Sequence, residues 1–521
     1  MLLSGRPFAI CVGLTVLALG GTNQSVAQEA DQTQANEGLQ EVVVTATRRE
    51  ESLSKVPVSV SVLTEAQIDS LGLETAADLF KETPGVTFSR SAQFGTGAIN
   101  IRGIAASSGA ATTGIYIDDT PIQVRQTGTN ASQNFYPELV DVARVEVLRG
   151  PQGTLFGAGA EGGAVRFITR EPDLERPAAY LKNEDTFTLY GSPGGEVAAS
   201  VSEPLISGKL AASAAVSYRY EGGWVDRVDG NGNVVDPNGN WNDAQTARLA
   251  LKYAVSDQLT VTPSYFYQQT YTNDSGNYWP SISDPDAGVF QSAQKFNSSY
   301  ASRFTLPALK VQANVGSVQL FSNTAYFSGS DRVTADYSAY VPSLLGLTAT
   351  PVGDQIQFTT TSKPVLPATG TVVIPNYINP ALVSSLHQFF TEELRAQSTA
   401  FNDRLNWIGG LFFSKSTERA GPFLDYSNPV PGNWASLVAV APANAQRVYG
   451  SVPLAQGLYS YDGVNFSHET QKAIFGDATY ELFTDLKLDF GFRYMQTDFS
   501  FDQVSSGPFG GGGASGGGTQ S

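Results

Sequence analysis

The sequence predicts a mostly β fold: an N-terminal α+β domain followed by an antiparallel transmembrane β-barrel. Three observations lead there. An export signal opens the chain, no later run is apolar and long enough to cross a membrane as a helix, and from about residue 179 apolar and polar side chains alternate over long stretches. Hydrophobic residues make up 41% and charged residues only 16% of the chain, against about 25% charged in soluble domains. Its 52 glycines and 22 tyrosines fit a surface that partly faces lipid. The formal net charge of -17 repels phosphate and argues against a nucleic-acid partner.

The export signal comes first. Arg6 gives a positive start, Phe8 to Gly20 is a short apolar run, and Ser25-Val26-Ala27 places small residues where a signal peptidase reads them. Residues 1–27 are therefore read as a signal peptide cut after Ala27. It carries Cys11, the single cysteine, so the mature chain holds neither disulfides nor thiolate metal sites.

Residues 28–54 read as a flexible segment with one β-prone island, Glu41-Val42-Val43-Val44-Thr45-Ala46-Thr47. From spacing alone this island is either a strand for a partner's sheet edge or the first strand of the next domain. Residues 55–171 form the α+β domain. Val58 to Val62 alternates as a half-buried strand, and Thr64 with Gln67 fits a capping box on a helix ending at Gly72. A second helix runs over Ala76 to Glu82, stopped by Pro84-Gly85. Ile99 to Ile101, Ile115 to Ile117 and Val145 to Leu148 read as further strands.

Residues 172–521 are the barrel part. Leu486, Leu488, Phe490, Phe492 and Tyr494 alternate with Lys487, Asp489, Gly491 and Arg493. Ala247, Leu249, Leu251, Tyr253 and Val255 alternate with Arg248 and Lys252 in the same way. This pattern is a lipid face and a wet lumen. Tight turns at Ile206 to Lys209, Ser256 to Gln258 and Asn402 to Arg404 alternate with long polar stretches near 221–243, 272–301, 338–388 and 419–468. Short turns on one side and long loops on the other are the outer-membrane pattern, and about eleven strands are expected. An odd number leaves an edge open, so the sequence reads as a fragment ending in an outer loop, unable to insert by itself. The glycine-rich tail from Gly510 specifies no strand.

Several motifs follow in a fixed order. Val56-Pro57-Val58-Ser59-Val60 opens the series, and Thr83-Pro84-Gly85-Val86 comes after Asp78-Leu79-Phe80. Then come Ile101-Arg102-Gly103, Tyr116-Ile117-Asp118-Asp119 and Val145-Glu146-Val147-Leu148-Arg149-Gly150-Pro151-Gln152-Gly153-Thr154-Leu155-Phe156-Gly157. Gly162-Gly163-Ala164-Val165 closes it. Together these resemble the plug domain of TonB-dependent outer-membrane receptors, of the siderophore-receptor kind, and Glu41 to Thr47 resembles the family's TonB box. The one departure is Asp119, where many members have Gly.

The resemblance implies a barrel of about 22 strands plugged from inside by residues 55–171. It implies import of a scarce solute, foremost a ferric siderophore or related iron complex, energised by contact between Glu41 to Thr47 and the TonB protein. Haem, cobalamin or carbohydrate cargo, or a non-transporting adhesion barrel, remain alternatives. The expected partners are TonB, outer-membrane lipid and a small-molecule or metal-chelate ligand. No enzyme, cofactor or resident metal is expected. The resemblance implies plug arginines facing wall carboxylates, so Glu393 of Thr391-Glu392-Glu393-Leu394-Arg395 is expected either to pair with Arg102 or Arg149 or to be a wet lumen charge with no plug partner. Leu394 should face lipid, with Glu393 and Arg395 in the lumen.

Other patterns carry less. Gly157 to Gly162 fits a dinucleotide fingerprint, but a β-prone run follows where a helix is needed. His387 and His468, the only histidines, fall in expected outer loops and read as solvated, too few for zinc. Asp236, Asn238 and Asn240 open a calcium-loop spacing, but Trp241 replaces the required glycine. Trp224, Trp241, Tyr278, Trp279 and Trp434 read as an aromatic girdle or loop packing before ligand contacts.

Overall fold

The computed structural model describes residues 42–49, 51–90, 97–106, 109–125, 134–338, 347–352, 355–360, 372–374, 378–425, 454–483, 486–508 and 516–520. The signal peptide, Glu41, Trp434 and most of the glycine-rich tail lie outside these.

The first described elements are a hairpin of β1 (Val43–Val44) and β2 (Glu51–Ser52). A compact domain follows: β3 (Ser59–Thr64), α1 (Glu65–Ser70), α2 (Ala76–Lys81), β4 (Val86–Arg90), β5 (Gly97–Ile101), β6 (Thr113–Ile117), β7 (Thr120–Pro121), β8 (Val142–Arg149), α3 (Gly153–Phe156) and β9 (Gly163–Thr169). Both longer helices start on capping boxes, Thr64 with Gln67 and Thr75 with Asp78. The central sheet has the order β3-β8-β9-β6-β7, with β6 and β9 parallel. Leu79, Phe80, Ile101, Ile115, Val145 and Phe167 are fully buried beneath it. Gly163 lies where β9 presses on β8: a Cβ there would come 2.1 Å from the Leu148 carbonyl oxygen, so no side chain fits.

The second part is one antiparallel sheet. It starts with β10 (Ala178–Phe187), β11 (Pro193–Ile206) and β12 (Leu210–Glu221). Short β13 (Asp226–Val228) and β14 (Val234–Asp236) fill the first long loop, followed by β15 (Asn242–Ser256) and β16 (Leu259–Thr272). Short β17 (Gln291–Ser292) joins β13, and β18 (Tyr300–Val315) and β19 (Val318–Asp336) continue the wall. A separate small sheet of β20 (Leu347–Val352), β21 (Gln355–Thr360) and β22 (Val372–Ile374) precedes the longest strands. These are β23 (Pro380–Ala400), β24 (Leu405–Asp425), β25 (Tyr461–Phe483) and β26 (Leu486–Ser506). The wall runs in chain order through its 12 strands to β27 (Gly516–Gln520).

Two expectations are corrected here. The glycine-rich tail does form a strand, because pairing Gly516–Gln520 with Phe499–Gln503 uses only backbone groups. The stretches read as loops near 338–388 and 419–468 are shorter than their polarity implied. Strands of 21 and 23 residues carry pairing well past the roughly 9–11 residues needed to cross a bilayer. His387 and His468 therefore sit in β23 and β25, not in loops.

The wall has two faces. Leu249, Leu251, Phe490, Phe492 and Tyr494 point outward and exposed, while Arg248, Thr262 and Gln268 point inward and buried. On β23, Leu394 is exposed between buried Glu393 and Arg395. Among the described residues no helix is long and apolar enough to cross a membrane. Leu394→Arg should therefore cost about 2–4 kcal/mol of stability in lipid. Urea-driven unfolding from vesicles measures it, and a cost under about 1 kcal/mol would contradict an outward-facing Leu394 in the apolar zone.

Candidate functional site

The residues from Val43 to Arg49 are not a free tether, as the polar flanks suggested. Val44 and Ala46 are almost fully buried, and the segment lies against β8 and β9 at the centre of the plug sheet. Thr45 holds it by its backbone: its N–H donates to Glu146 Oε1 at 2.8 Å, and its carbonyl accepts from Arg166 Nη1 at 2.6 Å. Glu146 on β8 and Arg166 on β9 are directly opposite in register and pair at 2.8 Å. A two-residue strand gains little alone. It docks because two buried, opposite charges aim donor and acceptor at one residue.

Arg48 extends the network to the wall. Its Nη1 lies 2.6 Å from Asp119 Oδ1, at the turn after β6, and its Nη2 lies 3.8 Å from Glu393 Oε2 on β23. Arg395 closes the ring, 3.3 Å from Asp119 and 3.3 Å from Glu393. The Arg48 guanidinium also lies 4.3 Å from the centre of the Phe156 ring, a cation–π contact. Glu393 therefore pairs with Arg48 and Arg395, not with Arg102 or Arg149. Arg102 and Arg149 flank a different turn: Arg102 N–H donates to the Gly85 carbonyl, and Arg149 Nη1 donates to the Pro84 carbonyl at 2.9 Å.

The remaining plug motifs are structural. Asp118, in a left-handed turn with φ 53, accepts from Thr169 N–H at 2.8 Å and so ties β6 to β9. Gly103 and Gly150 also hold positive φ, 83 and 101. Pro151 enters α3, which begins at Gly153. Gly162 N–H donates to Thr112 O, and β9 begins at Gly163, where a dinucleotide site would need a helix. Asp236 and Asn240 serve the loop: Asp236 accepts from Asn273 and Asn297, and Asn240 from Trp224 N–H and Val225 N–H. Trp224 packs on Phe290, and Trp241 on Tyr271.

The polarity of most other plug–wall pairs is the reverse of that expected: the cation stands on the wall and the carboxylate on the plug. Arg219 meets Glu138 at 3.0 Å and Arg248 meets Asp141 at 2.8 Å. Arg125 with Glu469, at 2.6 Å, keeps the expected sense.

Charge sets the ionisation of the knot. Burial alone would raise the Asp119 carboxyl, but Arg395, Arg48 and Arg166 outweigh it and hold it well below the usual carboxylate range. Burial likewise opposes ionisation of Glu146, and Arg166, the Thr45 N–H and Arg144 more than offset it. Burial alone would lower Arg48, but Glu393 and Asp119 raise it instead. A cavity of about 880 Å³ borders the knot, lined by Thr45, Arg48, Asp119, Arg166 and Arg395, by Ser317 in the short turn before β19 and by Ser398 near the short-turn end of β23.

An α+β domain seated against the inner face of an antiparallel sheet with an apolar outer face is the architecture of a plugged barrel. Residues 52–164 match the family model described as the TonB-dependent Receptor Plug Domain. The chain is 33% identical over 170 residues to the pesticin receptor of Yersinia pestis, covering 32% of this chain and 24% of that protein. It is 30% identical over 223 residues to the vitamin B12 transporter BtuB of Vibrio vulnificus, covering 42% of this chain and 33% of that protein. The match thus spans a quarter to a third of these curated relatives. The crystal structure of the ferric yersiniabactin uptake receptor FyuA from Yersinia pestis superposes with a TM-score of 0.63 at 16% identity, over 89% of this chain and 60% of that one. Residues 52–164 are thus similar to the plug domain of TonB-dependent receptors, and the fold of the described chain is similar to that of such receptors.

Arg48→Ala should weaken docking of Val43 to Arg49 by about 3 kcal/mol, because Asp119 and Glu393 lose a buried counter-charge. Exchange of the Thr45 amide should then accelerate about a hundredfold, and less than threefold would contradict the knot's role. Because Asp119 and Glu146 titrate below their unfolded values, their contribution is complete above about pH 4 and is lost only as pH falls further. A spin label at exposed Val43 should stay immobile from neutral pH to about pH 4 and become mobile below it. Release near pH 6 would contradict this assignment.

Proposed function

We propose that the protein is a TonB-dependent uptake receptor, with Glu41 to Thr47 as the TonB contact. The observation that carries this reading is the position of the docked segment. It borders a cavity on the short-turn side of the wall, tied by Thr45 to the plug and by Arg48 to both plug and wall. The outer membrane has no ATP, so energy must arrive by mechanical contact. A partner strand can add to β1 (paired, among the described residues, only with β2) and draw the segment away. Pulling at Thr45 then acts on Glu146 and Arg166 at the centre of the plug sheet. Pulling at Arg48 acts on the contact with β23. The segment is thus placed to turn a pull into plug movement.

The cargo we propose is a ferric siderophore or related iron complex, imported from outside. Relatives named as a ferripyoverdine receptor and a probable TonB-dependent siderophore receptor support that class. The similarity to a vitamin B12 transporter supports cobalamin as the second reading. Uptake of labelled ferric siderophores and labelled cobalamin by cells with and without the gene distinguishes them. Val44→Pro removes a backbone donor and should reduce uptake more than tenfold while leaving surface binding of the same ligand intact. Undiminished uptake would reject energy coupling through this segment.

A further inference from the structure

An apolar stripe crosses the inner face of the wall. Phe266, Phe304, Phe327 and Phe389 come from four neighbouring strands, β16, β18, β19 and β23. They stack in turn at 5.4, 5.5 and 4.5 Å, with ring planes within 9°, 22° and 10°. A barrel lumen is ordinarily polar, so a phenylalanine ladder there needs a partner. The plug supplies it. Phe135 seats edge-on against Phe304 at 5.8 Å and Phe327 at 5.2 Å. Its neighbour Tyr136 turns back onto Phe80 and Phe88 in the plug core. Gln268 of the wall brackets the same stretch, donating to the Tyr136 carbonyl and accepting from Glu138 N–H, both at 2.9 Å. Residues 134–138 are therefore a pin between plug and wall.

The remaining ring against Phe135 is His387, at 5.7 Å and 76°. It lies two residues before Phe389 on the same face of β23, almost wholly buried. Its Nε2 faces Asp331 Oδ2 on β19 at 3.5 Å, and its Nδ1 faces Glu418 Oε1 on β24 at 3.8 Å. A neutral imidazole donates from only one nitrogen, so carboxylates at both nitrogens match the imidazolium alone. Among the described residues His387 is the one cation in ion-pair distance of Asp331. The other groups that face this site are few. Tyr300 on β18 feels the Asp331 charge, and Ser467 on β25 donates to Glu418 Oε2 at 3.3 Å. The Arg125–Glu469 pair lines the same chamber of about 460 Å³. Phe135, on the plug side, is uncharged.

We propose that His387 is a proton-operated clasp for the Phe135 pin. As imidazolium it bridges Asp331 and Glu418, draws β19, β23 and β24 together and closes the seat around Phe135. When the proton leaves to solvent, two carboxylates face a neutral ring, the seat loosens, and residues 134–138 detach from the wall. The proton binds the seated form more tightly than the released one. Seating is therefore complete at the acid end and weakens as pH rises. The clasp stands on plug–wall geometry and holds whichever cargo the receptor carries.

Hydrogen exchange of the full chain in lipid vesicles tests this, followed from about pH 5.5 to pH 9 and corrected for intrinsic rates. In the wild type, protection across residues 134–138 should fall at least tenfold over that range, while Ala76–Lys81 stays protected and reports an intact plug. His387→Gln should exchange fast in 134–138 at every pH. Asp331→Asn, which removes the main counter-charge, should flatten the profile. A flat wild-type profile overturns the proposal even if the His387 variant fails to fold. So does an unchanged slope in Asp331→Asn or His387→Gln.

Discussion

The molecule depends on one buried knot of opposite charges. Arg48, Arg166, Arg395 and Arg144 meet Asp119, Glu146 and Glu393 where the N-terminal segment, the plug sheet and the wall converge. Removing any one member would leave a buried charge with too few partners, which costs far more than an exposed pair is worth. The knot is therefore close to all-or-none. That property suits the role proposed for the segment, held firmly at rest and released as a unit. It also explains why so short a stretch as Val43–Val44 is ordered at all.

A second constraint shapes the rest: the wall has lipid on one side and a folded domain on the other. Outward residues are apolar and exposed, as at Leu249 and Phe490. Inward residues divide into two kinds. Charged ones such as Arg219, Arg248 and Arg395 hold carboxylates of the plug, and the phenylalanines from Phe266 to Phe389 receive Phe135. The approach is close enough that a Cβ on Gly157 of the plug would come within 2.9 Å of Arg493 on β26. The plug is thus held by polar pairs around its edge and by an aromatic pin.

Much of this was legible from residue order. Period-2 alternation and tight turns placed the wall strands, a capping box placed α1 and Pro84-Gly85 marked the end of α2, because these signals are local. The motifs around Arg102, Asp118 and Arg149 marked the plug through its turns. What sequence could not show was partnership across the fold. Glu393 was visible as a lumen charge, yet its partner Arg48 is hundreds of residues away and sits beside a stretch that reads as flexible. Asp119 stood out only as a departure from the family's Gly, and it proves to be the acceptor shared by Arg48, Arg166 and Arg395. His387 read as solvated because its stretch read as an outer loop, and only pairing between β19, β23 and β24 buries it.

The central claim is that Arg48 and Asp119 act together to dock the N-terminal segment. A double-mutant cycle with Arg48→Ala and Asp119→Ala, read from exchange of the Thr45 amide, measures this directly. The knot predicts a coupling energy above about 1.5 kcal/mol, with the double variant scarcely worse than either single one. Additive effects, with coupling within about 0.3–0.5 kcal/mol of zero, would show that the two residues act independently and that the knot does not hold the segment.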